Sequence, residues 1–136
     1  MDLDGAFDRF LPWIEDELRQ VVRPPHHSLA AYYGMMRYHL GWSDEQFEAI
    51  ETASGKRIRP LLCLLSCEAA GGDAAQALPV AAAVELVHNF SLVHDDIQDS
   101  SRFRRGRPAV WAIWGPAHAI NVGDGLFVLA RLALQR

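Results

Sequence analysis

The chain has 136 residues, of which 50% are hydrophobic and 22% charged, and its formal net charge is −4. This composition allows one small domain, or part of a larger one, with a hydrophobic core, and the acidic balance argues against a general nucleic-acid binder. The acidic N-terminus "MDLDGAFDRF" is unlike a signal peptide, and no run approaches the roughly 18 apolar residues of a membrane span. We therefore expect a cytoplasmic protein.

Apolar residues recur at helical spacing along most of the chain, and strand-like alternation is nearly absent. The first part predicts an amphipathic helix over 6–22, which ends at "RPPHH" because consecutive prolines cannot lie inside a helix. Ser28 is expected to cap a second helix, "SLAAYYGMMRYHL". Ser43, with Gln46 completing a capping box, is expected to begin a short third helix, "SDEQFEAIE".

The rest of the chain predicts longer and more apolar helices. Pro60 begins one that ends at Gly71. Asp73 caps the next, "LPVAAAVELVHNFSLVHDDIQD", which is apolar on nearly all sides until its last turns, as in the centre of a helix bundle. A polar loop over 100–108, the segment "AVWAIW" and a long apolar helix from about residue 117 follow. These patterns predict an all-α fold.

The chain stops within the last periodic segment, at "LARLALQR", without a glycine, proline or polar closing signal. We therefore expect residues 1–136 to be the N-terminal portion of one all-α domain. Cys63 and Cys67 lie four residues apart on one helix face without further ligands nearby, so we expect buried thiols rather than a metal site.

Three carboxylates crowd the end of the central apolar helix. Asp95 and Asp99 are four residues apart and share a helix face, which Asp96 borders. Like charges at this spacing repel, and acids at a helix C-terminus oppose the helix dipole. A bound cation would offset both costs, and Mg²⁺ prefers few carboxylate ligands together with waters and substrate phosphates. On these residues alone, an Mg²⁺ site and a solvated acidic helix end remain equal alternatives.

Cationic side chains stand on both sides of the acids in the sequence. Arg104 and Arg105 follow within a few residues, in a loop shaped by glycine and proline. Guanidinium groups beside a metal–carboxylate site are suited to bidentate binding of a diphosphate. A second cluster, of Lys56, Arg57 and Arg59, stands at a helix entrance, where free N–H groups also attract anions. The sequence therefore predicts two anion sites and one metal site, as for two phosphorylated substrates of which one is metal-bound.

Two histidines lie close to the acids. His88 is seven residues before Asp95, two turns back on the same helix face, and we expect it to bind a ligand. For His94, on a neighbouring face, a ligand role and a core role both remain open. His26 and His27 lie in a proline loop and receive no role.

The motifs "GKRIRP", "ELVHNFSLVHDDIQDSSRFRRGRP" and "AINVGDGLFVLA" resemble, in this order, those of the trans-isoprenyl diphosphate synthases, the polyprenyl synthetase family. The similarity runs from about Gly55 to the C-terminus, and residues 6–40 fit the opening helices more loosely. It implies the N-terminal helices of an antiparallel bundle of the isoprenoid synthase type, and condensation of an allylic diphosphate with isopentenyl diphosphate. Mg²⁺ is the implied cofactor. A homodimer, or pairing with a chain that carries the C-terminal half, is the expected assembly.

The resemblance also implies roles for the charged residues. Asp95 and Asp99, supported by Asp96, would hold Mg²⁺ bound to the allylic diphosphate. Arg104 would bind that same diphosphate. The residues that would bind the diphosphate of isopentenyl diphosphate are Lys56, Arg59, His88 and Arg105. On this interpretation the acids and the arginines stay apart because both must bind the same diphosphate.

The sequence departs from the family pattern in three ways. Ser54 stands where many members have a second glycine before Lys56, and Ala109 replaces a common threonine after the proline of the arginine motif. The second aspartate-rich motif of the family does not occur in these 136 residues.

The resemblance further predicts product length. In the family, side chains one turn before the first aspartate form the floor of the chain-growth pocket. Here Phe90 is bulky and Ser91 is small. One aromatic residue with a small neighbour resembles the C20-forming members, so we expect geranylgeranyl diphosphate, with the C15 farnesyl diphosphate second.

Two alternatives remain open at this stage. The pair His94–Asp95 also fits a metal-dependent phosphohydrolase of the HD type, which needs further histidine ligands; His39 is a distant candidate, and the arginine pair would go unexplained. The chain could also be a non-catalytic or half-site subunit whose missing half comes from a partner chain.

Overall fold

The computed structural model describes residues 2–52 and 55–136. Within these ranges the chain forms six α-helices, two 3₁₀ turns and one small hairpin, so the predicted all-α fold is confirmed. The helices are α1 Leu3–Val21, α2 Ala30–His39, α3 Ile58–Ala69, α4 Leu78–Gln98, α5 Val110–Trp114 and α6 Pro116–Ala133. The 3₁₀ turns are His27–Leu29 and Ala74–Ala77, and the antiparallel strands are β1 Phe103–Arg104 and β2 Arg107–Pro108.

Helix α4 lies at the centre of the bundle, as its apolar character predicts. It packs most extensively against α6 and also contacts α1 and α3. Three consecutive alanines, 81–83, are buried in its first half and let neighbouring helices approach closely. Larger side chains from the other helices complete the core, among them Phe10, Ile14, Leu18, Leu64 and Leu126.

The segment Ala74–Gln98 is also long and apolar enough, by length and composition only, to cross a membrane. The central helix of a bundle passes the same test. Here the segment buries the polar side chains of Glu85, Asn89 and Asp96 against other parts of the chain. Its contacts with four other helices, α1, α3, α5 and α6, are those of a core element.

Two predicted helix starts are wrong. Ser28 does not cap α2; it lies in the turn His27–Leu29, where the His26 side chain accepts a hydrogen bond from its backbone N–H. The predicted third helix after Ser43 is a loop, because the Asp44 carboxylate accepts the N–H groups of Gln46 and Glu48 and closes a tight turn instead. Short polar side chains that favour helix caps stabilise such turns equally well.

Three other local predictions, on the Asp73 cap, the loop over 100–108 and the buried thiols, need adjustment. Asp73 caps the turn Ala74–Ala77 rather than α4 itself, since its carboxylate accepts the N–H of Ala75. The loop over 100–108 contains the hairpin of β1 and β2, whose turn uses positive φ angles at Arg105 and Gly106. Cys63 and Cys67 are free and only half-buried, and burial raises the pKa of the Cys63 thiol.

A buried arginine joins the helices. The Arg57 side chain is fully buried; its Nε donates to Glu15 Oε1 at 2.7 Å, and its Nη1 donates to Glu85 Oε1 at 2.9 Å. Its Nη2 donates to the carbonyl oxygen of Leu40 at 3.3 Å. These contacts tie the start of α3 to α1, α4 and the end of α2. Arg57 lies in the predicted cluster with Lys56 and Arg59, but its guanidinium is already engaged inside the bundle, unlike the exposed side chains of those neighbours.

We predict that Arg57→Ala lowers the free energy of unfolding by about 3–5 kcal/mol, because it leaves two carboxylates without their buried partner. Urea denaturation of the 136-residue chain measures this. Arg9→Ala is the matched control: it removes an arginine whose ion pair with Glu68 is partly exposed, and it should cost about 1 kcal/mol or less. Equal losses in the two variants would contradict the structural role of Arg57.

Candidate active site

The last turns of α4 carry the predicted metal ligands. Asp95 and Asp99 are exposed, and Asp99 caps the helix, its backbone N–H donating to the carbonyl oxygen of Asp95. Asp96 faces the opposite way and is only 4% exposed. The helix period therefore separates the three acids into an exposed pair and one buried member.

The buried member is paired with an arginine. Arg104, on β1, donates from Nε to Asp96 Oδ2 at 2.8 Å and from Nη2 to Asp96 Oδ1 at 3.0 Å. This bidentate contact occupies both oxygens and fixes the hairpin beside the end of α4. The interpretation that acids and arginines stay apart thus fits Asp95 and Asp99, which have no ion pair within the described ranges, but it does not fit Asp96.

The donor set at the end of α4 suits one kind of metal site. No cluster of three or more His, Cys, Asp or Glu side chains able to hold a metal occurs in the part of the chain that the structure describes. Mg²⁺ commonly binds proteins through one or two carboxylates and completes its octahedral shell with waters and substrate phosphates. The exposed pair Asp95 and Asp99 fits a metal that is shared with a phosphorylated substrate.

A second candidate site, which we call the cationic cavity, lies at the entrance to α3. Its volume is about 80 Å³. The residues that line it are Gly55, Lys56, Arg57, Ile58, Arg59, Glu85, His88 and Arg105. It brings together all four residues predicted to bind the second diphosphate, although they come from three separate segments of the sequence. Ser54 lies outside the described residues.

The protonation of His88 follows from its contact with Arg59. Arg59 Nη1 lies 3.3 Å from His88 Nε2, and a guanidinium can only donate, so Nε2 accepts. Burial lowers the pKa of His88, and the neighbouring Arg59 lowers it further, which keeps the ring neutral near pH 7. The remaining proton is then on Nδ1, which can donate to an anion. His88 therefore works here as a neutral donor rather than as a cation.

Arg105 is held against the backbone of Gly55. A Cβ atom at position 55 would lie 2.7 Å from Arg105 Nη2, so only glycine leaves room for this approach. Arg105 Nη1 is buried without a hydrogen-bond partner among the described residues. Burial lowers the pKa of Arg105, followed in effect by the positive charges of Arg57 and Arg104. A bound anion would relieve each of these costs, which makes a diphosphate a suitable occupant.

His94 is turned away from the exposed acids toward α6. Its Nε2 lies 3.1 Å from the carbonyl oxygen of Ile120 and 3.6 Å from Asp124 Oδ1. It also packs on Gly123, where any side chain would collide with the ring. Of the two roles left open by the sequence, these contacts favour the packing role.

The residues of the predicted chain-length floor are half-buried on α4. The Phe90 ring meets the Phe127 ring of α6 edge-on, with 5.1 Å between centroids. The Ser91 hydroxyl donates to the carbonyl oxygen of His88 at 2.6 Å. An apolar cavity of about 160 Å³ between α4 and α6 is lined by Ala83, Val87, Phe127, Ala130, Arg131 and Leu134.

A buried chain of polar side chains that the sequence pattern did not predict adjoins the cationic cavity through Glu85. Asn89 donates both amide hydrogens to Glu85, at 2.8 Å to its carbonyl oxygen and 3.0 Å to its carboxylate. Its Oδ1 must therefore accept from His39 Nε2, 3.0 Å away. Burial, aided by Arg105 and Arg104, lowers the pKa of His39 to about 3, so the ring is neutral. The signal in the sequence was Glu85 and Asn89, two polar residues one turn apart inside an apolar helix.

The position of His39 also bears on the phosphohydrolase alternative. That alternative needs histidine ligands on other helices, and His39 was the candidate. Its ring is buried and engaged with Asn89 rather than directed at Asp95. The HD-type alternative therefore loses its only proposed second histidine.

Comparison with known proteins agrees with the motifs. The sequence profile of the family described as Polyprenyl synthetase matches residues 41–136. The chain is 52% identical over 100 residues to a (2E,6E)-farnesyl diphosphate synthase of Mycobacterium tuberculosis, and 49% identical over 96 residues to a geranylgeranyl diphosphate synthase of the same species. These alignments cover 74% and 71% of this chain but only 28% and 27% of the relatives.

Solved structures give the same result for the fold. The crystal structure of a polyprenyl synthetase from Streptomyces coelicolor superposes with a TM-score of 0.86 at 41% identity, over 98% of this chain and 38% of that one. A geranylgeranyl pyrophosphate synthetase from Pyrococcus horikoshii gives 0.79 at 38% identity, with the same coverage of both chains. The chain thus spans roughly a quarter to two fifths of the length of the proteins it matches, and it belongs to the polyprenyl synthetase family.

Proposed function

We propose that the chain is the N-terminal portion of one all-α domain of a Mg²⁺-dependent prenyltransferase. The reaction joins an allylic diphosphate head-to-tail to isopentenyl diphosphate and yields a short-chain product. The expected product is C20, and C15 is the second candidate. The observation that carries the proposal is a pair of distinct features: exposed carboxylates suited to a metal at the end of α4, and the cationic cavity, suited to an anion, at the start of α3. The names of the farnesyl and geranylgeranyl diphosphate synthases it resembles support the substrate class.

The end of α4 is proposed to hold the allylic substrate. Asp95 and Asp99 are the metal ligands, and bound Mg²⁺ would stabilise negative charge on the leaving diphosphate. Arg104 adds a positive charge beside them while it keeps Asp96 neutralised. Asp96 then supports the site by fixing Arg104 rather than by binding the metal directly.

The cationic cavity is proposed to hold isopentenyl diphosphate without a metal. Lys56, Arg59 and Arg105 supply positive charge, and His88 supplies a neutral N–H donor. Gly55 lets Arg105 approach the backbone closely. These residues bind and orient the second substrate so that its double bond can reach the allylic carbon.

The apolar face between α4 and α6 is proposed to receive the growing hydrocarbon chain. Its lining offers no nucleophile to a carbocation and excludes water along the wall that this chain provides. Phe90 and Phe127 close part of this face through their edge-on contact. The opposite wall must come from residues that these six helices do not supply.

A half-site subunit remains the second candidate, and one observation favours it. Large apolar residues of the last helix are about half exposed: Phe127 53%, Val128 54%, Leu132 49% and Leu134, just after it, 53%. Such a surface needs a covering partner, which could be a second copy or a chain with the C-terminal half. We retain the prenyltransferase proposal for the assembled protein in either case.

The first prediction concerns the metal ligands. In an active protein that contains this chain, Asp95→Ala should lower the catalytic rate by several decades, since lost stabilisation of a leaving group costs about 3–4 kcal/mol or more. Mg²⁺-dependent turnover is the measurement. Asp8→Ala, which removes an exposed acid of α1, is the control and should leave turnover unchanged. Near-normal turnover of the Asp95 variant would eliminate the assignment.

The second prediction separates the two substrates. Lys56→Ala and Arg105→Ala should mainly raise the Michaelis constant for isopentenyl diphosphate, and Arg104→Ala that for the allylic substrate. A charge-assisted contact is worth about 1.5–3 kcal/mol, which is roughly ten- to hundredfold. Asp96→Asn should resemble Arg104→Ala because it breaks the same ion pair. The reverse pattern of Michaelis constants would mean that the two sites are exchanged.

The third prediction concerns product length. Phe90→Ala should lengthen the product, because it opens the contact with Phe127 that narrows the α4–α6 face. Chromatography of the dephosphorylated products measures the change. Phe103→Ala removes an exposed aromatic residue of the hairpin and should leave the product distribution as it is. An unchanged distribution for Phe90→Ala would remove Phe90 from the floor.

The fourth prediction concerns this polypeptide alone. Without a second wall, water can reach the reacting carbon, so condensation should be poor or undetectable. The half-exposed apolar residues of α6 should drive self-association, which size-exclusion chromatography with light scattering detects. A stable monomer that makes C15 or C20 diphosphate at normal rates would refute the half-site character of the chain.

A further inference from the structure

The arginines of the hairpin contact three different parts of the bundle. Arg104 pairs with Asp96 on α4, and Arg105 lies on Gly55 before α3. Arg107, which the sequence analysis left without a role, points instead toward the end of α2. The hairpin is thus fastened on three sides, and only the contacts of Arg104 and Arg105 belong to the site described above.

Arg107 is bound by the backbone at the end of α2. Its Nη1 donates to the carbonyl oxygen of Tyr38 at 3.1 Å, and its Nη2 donates to that of Ser43 at 2.7 Å. Its guanidinium carbon lies 4.0 Å from the centroid of the Tyr38 ring. A planar fork that meets two carbonyl oxygens while stacked on an aromatic ring is a geometry that lysine cannot reproduce.

Tyr38 in turn contacts the hairpin through its own side chain. Its hydroxyl donates to the carbonyl oxygen of Pro108 at 2.8 Å, and its ring meets Trp114 of α5 edge-on. Strand β2 is therefore held to α2 by two hydrogen bonds and one stacked contact, and to the loop after α2 by a third hydrogen bond. Contacts of this number fix the strand in position and direction.

The position of β2 determines where Arg105 points. Arg107 pairs with Arg104 across the two strands, and Arg105 occupies the turn between them with a φ of 52°. Arg105 Nη1 has no hydrogen bond of its own within the described ranges. The hairpin that carries Arg105 therefore determines the direction of its guanidinium, and at the tip Nη2 only packs against Gly55.

We propose that Arg107 is a positioning residue that fixes the hairpin to the end of α2 and thereby holds Arg105 in the cationic cavity. The inference rests on the proposed function only in that the cavity binds a diphosphate. It assigns a role in substrate binding to a side chain that touches no substrate. It also makes the loop after α2, through Ser43, part of the support of the site.

Binding of inorganic diphosphate to this chain in EDTA tests the proposal, because metal-free buffer isolates the cationic cavity from the carboxylate pair. Arg107→Ala should weaken binding about tenfold, the lower end of the roughly ten- to hundredfold that loss of a charge-assisted contact costs. Arg107→Lys keeps the charge but not the planar pair of donors, and it should show most of the same loss of diphosphate affinity. Arg102→Ala is the control: it removes one charge from the same loop, where Arg102 stacks on Trp111, and should bind normally.

A spectroscopic signature separates positioning from general destabilisation. The Nε–Hε resonance of Arg105 in ¹H–¹⁵N spectra, identified by its loss in Arg105→Lys, reports the surroundings of the guanidinium. It should shift in Arg107→Lys and stay in place in Arg102→Ala. Thermal unfolding of each variant, measured in parallel, identifies a general loss of fold.

The outcomes are distinct. If Arg105→Ala leaves diphosphate binding unchanged, the proposed function of the cavity fails, and the Arg105 resonance still tests the role of Arg107. If Arg105→Ala weakens binding but Arg107→Lys binds normally with an unshifted resonance, the positioning role is overturned. Equal losses in Arg107→Ala and Arg102→Ala, with Arg107→Lys normal, would overturn it in favour of a simple charge effect.

Discussion

The buried guanidinium of Arg57 is the interaction on which the site depends. It joins Glu15 of α1, Glu85 of α4 and the carbonyl oxygen of Leu40 at the end of α2. Arg57 itself adopts a left-handed backbone, with a φ of 52°, directly before α3. Such a backbone persists only where the surroundings determine it. The neighbours of Arg57 in the sequence, Lys56 and Arg59, are thereby brought to the cationic cavity.

This arrangement separates charges that the sequence crowds together. Arg57 is neutralised inside the bundle by two carboxylates. Arg104 pairs with Asp96 through Nε and Nη2 only, and this contact keeps its guanidinium beside the exposed acids of α4. The positive charge left for a ligand is then concentrated at the start of α3, and the negative charge at the exposed end of α4. The surplus charges of opposite sign thus lie on different elements of the part of the chain that the structure describes. This separation supports the proposal of two ligand sites of different character.

The sequence predicted the long elements and the exposed acids well, and the reasons are local. Apolar periodicity alone determines α1, α4 and α6, and the helix period alone places Asp95 and Asp99 on one face. The short elements failed because the same residue types serve two structures: Asp44 closes a turn where Ser43 was expected to begin a helix. The resemblance to a known family supplied the roles of Lys56 and Arg105, which periodicity could not.

What the sequence could not show are contacts between distant segments. Nothing local distinguishes Arg57, which is buried, from Arg59, which is exposed and contacts His88, although both occur in "GKRIRP". The distinction arises only when α1 and α4 place Glu15 and Glu85 on either side of Arg57. The folded hairpin is needed in the same way for two other contacts: the ion pair of Asp96 with Arg104, and the hydrogen bond from Arg107 to the carbonyl oxygen of Tyr38.

We propose that one chain carries two diphosphate sites, one that needs a metal and one that does not. Calorimetric titration of the wild-type chain with inorganic diphosphate, first in EDTA and then in excess Mg²⁺, distinguishes the two sites. We predict one site per chain in EDTA and a second site that appears with Mg²⁺. Absence of binding in EDTA, with a single site in Mg²⁺, would show that the cationic cavity is not an independent diphosphate site.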